Sequence, residues 1–129
     1  DEIAAAKEDE ALGDIATALE KALGEQKQAT MWFMQNAMAN PNHLGAGAHH
    51  YMTIMGIVTL GFFWLKMAKV AKDALAGSPE DKGFYEAKMT AASYYAQRFL
   101  PDCGALRRKL EAGSDTMMAL PEEAFATVA

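Results

Sequence analysis

The stretch Tyr51 to Leu65, YMTIMGIVTLGFFWL, constrains this chain more than any other, because it runs for fifteen residues without a formal charge. On a helix of 3.6 residues per turn, Tyr51, Ile54, Val58 and Leu65 fall along one side and Ile57, Leu60, Trp64 and Met67 along another. No broad polar stripe is left, so such a helix has to be covered from several directions. Fifteen uncharged residues fall short of the ~20 that a bilayer span needs, and Lys66, Lys69 and Lys72 follow at once. The pattern therefore predicts the innermost helix of a bundle, without a membrane partner. Gly56 and Gly61 each cost about 1 kcal/mol of helix propensity relative to Ala, tolerable where a neighbouring backbone comes close.

The rest of the composition agrees with one domain over residues 1–129. A chain that is 51% hydrophobic can bury a core without staples, and its single cysteine excludes an internal disulfide and a cysteine zinc site. That cysteine usage fits a reducing compartment, and a cytoplasmic location is expected. The chain opens DEIAAAKEDE, acidic where a signal peptide is basic, and without an initiator methionine, which fits a piece of a longer protein. A net charge of −5 argues against nucleic acid as a partner. No run of alternating β-branched residues supports a strand.

In chain order, residues 1–11 suit a short leading helix. Leu12, Ile15, Leu19, Ala22, Gln26, Ala29 and Phe33 then recur at spacings of three and four, the seam of a long amphipathic helix that reaches about Ala39, with Gly13 and Gly24 as soft points. Asn40-Pro41-Asn42 stops it. Asn42 is the expected cap of a second long helix, beginning near Leu44 or after Gly47 and ending at Gly77. Ser78-Pro79-Glu80-Asp81 reads as the start of a third, with Ser78 as cap and Pro79 in the first turn. Its seam is Met89, Ala92, Ala96, Phe99, Cys103, Leu106 and Leu110, and Pro101 is expected to kink it without ending it. Gly113 closes this helix, Ser114 and Asp115 start a further short turn, and Leu120 to Phe125 forms a tail. The fold class is all-α: three long antiparallel helices with short terminal helices.

The chain offers few groups for chemistry. His43, His49 and His50 are the metal-ligand candidates, but no His-x-x-x-His or Glu-x-x-His pattern accompanies them, so no metal is expected. Cys103 stands on a seam, which predicts a buried, inert thiol. Arg107, Arg108 and Lys109 suit either a phosphate or a solvated helix end. No carboxylate pair stands in an apolar setting, so no catalytic residue and no cofactor-binding residue is assigned. Most methionines, Met52, Met55, Met67 and Met89 among them, are expected in the core, while Met31, Met34 and Met38 with Trp32 suit a partner surface. A pocket for an apolar ligand would be lined by Phe62, Phe63, Trp64 and Tyr94.

Three segments together, Tyr51 to Ala71, Ala91 to Leu106 (AASYYAQRFLPDCGAL) and Leu120 to Phe125 (LPEEAF), resemble in order and spacing the carboxyl-terminal helical domain appended to a subset of acyl-CoA dehydrogenases. That subset includes the enzymes acting on 3-methylmercaptopropionyl-CoA. The resemblance spans roughly residues 10–126. It implies a parent flavoenzyme that binds FAD, in which a glutamate removes the α proton of an acyl-CoA thioester and hydride passes from the β carbon to the flavin. The catalytic base and the flavin site belong to domains that this chain does not contain. What the resemblance implies here is a non-catalytic appendage that packs on the remaining domains of the parent enzyme or on a second subunit, in a homo-oligomer. A freestanding helical interaction module docking through Met31, Trp32, Met34 and Met38 is the alternative.

Overall fold

The computed structural model describes residues 1–126, so Val128 and its neighbours, inside the expected domain 1–129, lie outside the described residues. Those residues form six helices and no strand: α1 (Glu2–Lys7), α2 (Gly13–Asn36), α3 (Pro41–Ala76), α4 (Lys82–Arg98), α5 (Asp102–Glu111) and α6 (Glu122–Ala126). The all-α class is as the sequence indicates, with the third long helix divided into α4 and α5.

Helices α2, α3 and the α4–α5 pair pack mutually, and the contacts between their ends give the direction of each. Lys72 near the end of α3 pairs with Asp9 just before α2, and His43 at the start of α3 meets Ser114 just after α5. Each pair joins the end of one helix to the start of another, so α3 runs antiparallel to both neighbours, as short connections require. The core between them is built from Leu12, Ile15, Leu19 and Phe33 of the α2 side, Ile54, Val58 and Leu65 of α3, and Tyr95, Leu100, Cys103 and Leu110. The α2 seam is buried as its spacing predicts, apart from a half-buried Gln26.

Four boundaries differ from the sequence reading, each for a local reason. Helix α2 starts at Gly13 and stops at Asn36, so Gly13 lies at its first position and only Gly24 is interior. Helix α3 starts at Pro41, because Asn40, not Asn42, is the cap: its extended backbone turns the side chain to accept the Asn42 N–H at 3.1 Å. The proline that stops the helix behind it thus opens the one ahead, where a missing N–H costs nothing. Gly45 and Gly47 continue that helix. Helix α4 begins only at Lys82 after Asp81, because Ser78 takes a left-handed conformation (φ 56°) that completes the turn behind α3 and cannot cap a helix.

The fourth difference lies at Pro101, which ends a helix instead of kinking it. Pro101 offers no N–H to the Gln97 carbonyl, and the Tyr95 carbonyl accepts from both Phe99 (2.9 Å) and Leu100 (3.3 Å). This widened turn adds a residue and advances the register. Leu100 takes the core place that the spacing assigned to Phe99, and Phe99 moves outward to 44% exposure, stacked on Tyr95 with ring centroids 5.1 Å apart. Gly113 does close α5, at φ 72°.

Candidate functional site

Helix α3 is covered on one side only. Ile54, Val58, Gly61, Leu65 and Ala68 face the bundle and are buried. Directly opposite, Met52, Phe63 and Val70 are 68%, 52% and 64% exposed, with Met55, Leu60 and Met67 beside them. The expectation that Met52, Met55 and Met67 fill the core is therefore wrong. The three stand on the far side of a helix whose packed stripe is supplied by β-branched residues, glycine and leucine, and no other element among the described residues crosses over them. Met89 is half-buried against the core as expected. By length and composition α3 is also apolar enough to cross a membrane, and about a third of its most apolar window is buried in the bundle.

Beside this face runs an apolar cleft of about 290 Å³ between α3 and α4, lined by Lys66, Met67, Val70, Ala71, Phe84 and Lys88. Its cations lie on aromatic rings: the Lys66 ammonium sits 4.7 Å from the Phe62 centroid, and that of Lys88 sits 5.3 Å from Phe84 and 5.8 Å from Trp64. An ammonium over a ring face is held by the ring quadrupole, so the lysines rim the apolar surface without breaking it.

The expected apolar-ligand pocket is not assembled. Trp64 and Tyr94 do meet, in an open groove of about 540 Å³ with Ala87, Thr90, Tyr95 and Phe99, but Phe62 and Phe63 are not part of it. Phe63 points to the uncovered side of α3, because it stands about 100° round the helix from Trp64 and about half a turn from the buried Ile54 stripe. Nor does this groove fit a flavin. Its Thr90 and Tyr95 hydroxyls donate to the carbonyls of Glu86 and Ile57, and no cation lines it for a pyrophosphate.

Of the remaining candidates, His43, Cys103 and Arg107 have structural employment. The His43 Nδ1 accepts the Ser114 N–H at 3.0 Å, with the Ser114 hydroxyl also at 3.0 Å, and its ring packs edge-on to Trp32 at 5.6 Å. His49 and His50 are ring neighbours at 5.8 Å, and no metal-binding cluster occurs among the described residues. Cys103 is fully buried, and that burial, reinforced by the Asp102 and Glu25 carboxylates, pushes its thiol up to about 11, so it stays protonated. Arg107 is bonded to Glu25 and, at 2.8 Å, to Glu111; the hydrogen bond to Glu25 and then that to Glu111 raise its already high pKa. It is a clamp between α2 and α5 rather than a phosphate ligand. Arg108 lines a cleft of about 210 Å³ that also contains Lys21 and Glu25. Met31, Met34 and Met38 are exposed as expected, whereas Trp32 is partly buried against the core.

What the geometry defines is a helical domain whose largest chemical feature is an apolar face. The sequence of residues 1–121 matches the family model described as acetyl-CoA dehydrogenase C-terminal like, and the chain belongs to that family. It is also similar to the broad-specificity linear acyl-CoA dehydrogenase FadE5 of Mycobacterium tuberculosis, with 32% identity over 115 residues. That alignment takes in 86% of this chain and 19% of the relative, so the chain spans about a fifth of the length of the curated protein it matches. It is a C-terminal helical domain of the acyl-CoA dehydrogenase type.

Proposed function

We propose that this domain serves as the accessory and assembly domain of a cytoplasmic, homo-oligomeric, FAD-dependent acyl-CoA dehydrogenase, in which it packs against the catalytic body without supplying a catalytic group. The observation that carries this reading is the family match over residues 1–121. A finer reading, a parent acting on 3-methylmercaptopropionyl-CoA or a related thioester, rests on the resemblance of Tyr51–Ala71, Ala91–Leu106 and Leu120–Phe125. In this reading FAD is bound elsewhere in the parent, since no cation lines the aromatic groove of Trp64, Tyr94 and Phe99 for a pyrophosphate.

The test is the reading frame upstream of Asp1, followed by a dye-linked assay with a panel of acyl-CoA thioesters. A frame encoding a flavin-binding body, whose full product reduces the dye while the 129-residue chain does not, is the expected result. Acyl-CoA oxidation by the short chain alone would overturn the accessory role. The exposed Met31, Met34 and Met38 favour one second reading, a helical interaction module. A frame that begins at this domain supports that alternative instead.

A further inference from the structure

A helix apolar all round is stable in water only when cover arrives from outside, and the cover that α2, α4 and α5 give α3 stops at one side. From Met52 to Val70 the uncovered side runs roughly 27 Å along the axis. One turn in from Met52, Gly56 has nothing within 4 Å of where a Cβ would stand, which leaves room for a close approach. We propose that this face of α3 is the surface on which the body of the parent dehydrogenase docks, through an apolar helical surface that places carboxylates against Lys66 and Lys88. The proposal rests on the family reading above and names the face that reading leaves open.

Three observations select that occupant. First, four-fifths of the matched relative lies outside the aligned segment, so in that protein the domain has a much larger neighbour within its own chain. Second, the amino end lies at the edge of the face. Glu2 reaches Lys66 at 3.8 Å, and Asp1 and Glu2 share a cleft of about 330 Å³ with Lys69 and Lys72. A body joined upstream emerges next to Lys66, Met67 and Val70 and reaches the face without a long linker.

The third observation is charge. Between Pro41 and Leu65 helix α3 carries no Asp, Glu, Lys or Arg, and its cations begin at Lys66. Lys88, across the cleft, lies on the Trp64 and Phe84 rings, and among the described residues no carboxylate is within ion-pair distance of it. A second copy docked antiparallel would set these lysines against the uncharged half of its partner, and a parallel copy would set lysine against lysine. Neither answers the rim, where Lys66 has only the exposed Glu2 and Lys88 has no carboxylate partner among the described residues; carboxylates on a separate body would.

Methionine oxidation tests this directly, because the face carries its own reporters, and α2 with the turn after it carries the controls. In the full-length, flavin-loaded gene product, Met52, Met55 and Met67 should oxidise about tenfold more slowly than in the 129-residue chain, with Met31, Met34 and Met38 unchanged. Cys103, unreactive in both, certifies that each is folded. Phe63→Glu should leave the melting of the short chain unaltered and restore rapid oxidation of Met52 and Met67 in the full-length protein. An active dehydrogenase whose α3 methionines react as fast as those of the short chain would overturn this inference and leave the family reading standing. Protection that appears in the short chain with rising concentration, or on adding anionic phosphatidylserine vesicles, would assign the face to a second copy or to lipid and overturn it too. A gene without a flavin-binding body upstream would remove both readings.

Discussion

The two sides of α3 are nearly alike in hydropathy and opposite in circumstance. Ile54, Val58 and Leu65 touch α2, α4 and α5, while Met52, Phe63 and Val70 on the same helix touch solvent. They also differ in kind. The packed side uses β-branched residues, small residues and leucine, whose few rotamers suit a fixed jigsaw. The open side gathers the methionines, Met52, Met55 and Met67, whose flexible side chains adapt to an irregular partner, among Leu60, Phe63 and Val70. Hydropathy thus marks a helix that needs cover, and its methionines gather on the side that its own bundle leaves open.

The sharpest way to break this comparison is to truncate one residue on each side. Ile54→Ala should cost about 2–5 kcal/mol, the range for a fully buried aliphatic side chain, and Met52→Ala in the 129-residue chain less than about 0.5 kcal/mol. Urea midpoints at constant slope would measure both. Equal losses would mean that Met52 is covered in solution and that the two sides are not distinct.

Glycines give a second pair with an opposite sign on each side. A Cβ at Gly47 would stand 2.8 Å from the Phe33 ring and 2.9 Å from the branch carbon of Leu110, so Gly47→Ala should cost about 1–3 kcal/mol. At Gly56 the same substitution meets nothing and should stabilise the short chain by about 0.5–1 kcal/mol through helix propensity. In a full-length protein docked on this face, the Gly56→Ala gain should vanish or reverse. His43→Ala, at the end of the covered side, removes the acceptor of the Ser114 N–H and should cost about 1–3 kcal/mol, since Ser114 is buried and its amide would be left unpaired.

How much of this was legible in the residues follows from the range over which each signal acts. Seams repeating at three and four marked the core of α2, because Leu12 to Phe33 lie on one unbroken helix. The same rule failed at Phe99, where the Tyr95 carbonyl takes two donors and shifts the register by one, a rearrangement that no spacing announces. Asn40 and Ser78 were misjudged because a cap is decided by backbone dihedrals, and Asn42 and Ser78 carry equally good capping side chains. The apolar character of Tyr51 to Leu65 was plain, but which side stays open depends on where α2 and α4 happen to lie. That is tertiary information, and it turned Met52, Met55 and Met67 from expected core into surface. Cys103 and the exposed Met31 and Met34 were readable because each depends on a single helix face, and Met38 because it follows the end of α2.

The smallest expected effect concerns the far end of the covered side of α3, where the Asp9–Lys72 pair ties the start of α2 to the end of α3. The Lys72 hydrogen bond holds the Asp9 carboxyl below its ordinary 3.8, and the Asp9 hydrogen bond holds Lys72 above its ordinary 10.5. For Asp9 the folded state prefers the charged form, so its contribution is complete above the unfolded value and disappears as pH falls through the lowered one. For Lys72 the contribution is complete below the unfolded value and disappears as pH rises through the raised one. Lys72→Met should therefore flatten the stability profile in two windows, below about pH 4 and above about pH 10.5, and lower it between them. Both groups are open to solvent, so the difference should be small and should shrink further with added salt. Parallel profiles for the wild type and Lys72→Met would show that the pair contributes nothing. The α1–α2 corner would then be held against α3 by the burial of Ala6 and Leu12 and by the exposed Glu2–Lys66 pair, and removing the upstream residues should leave the α3 face as it is.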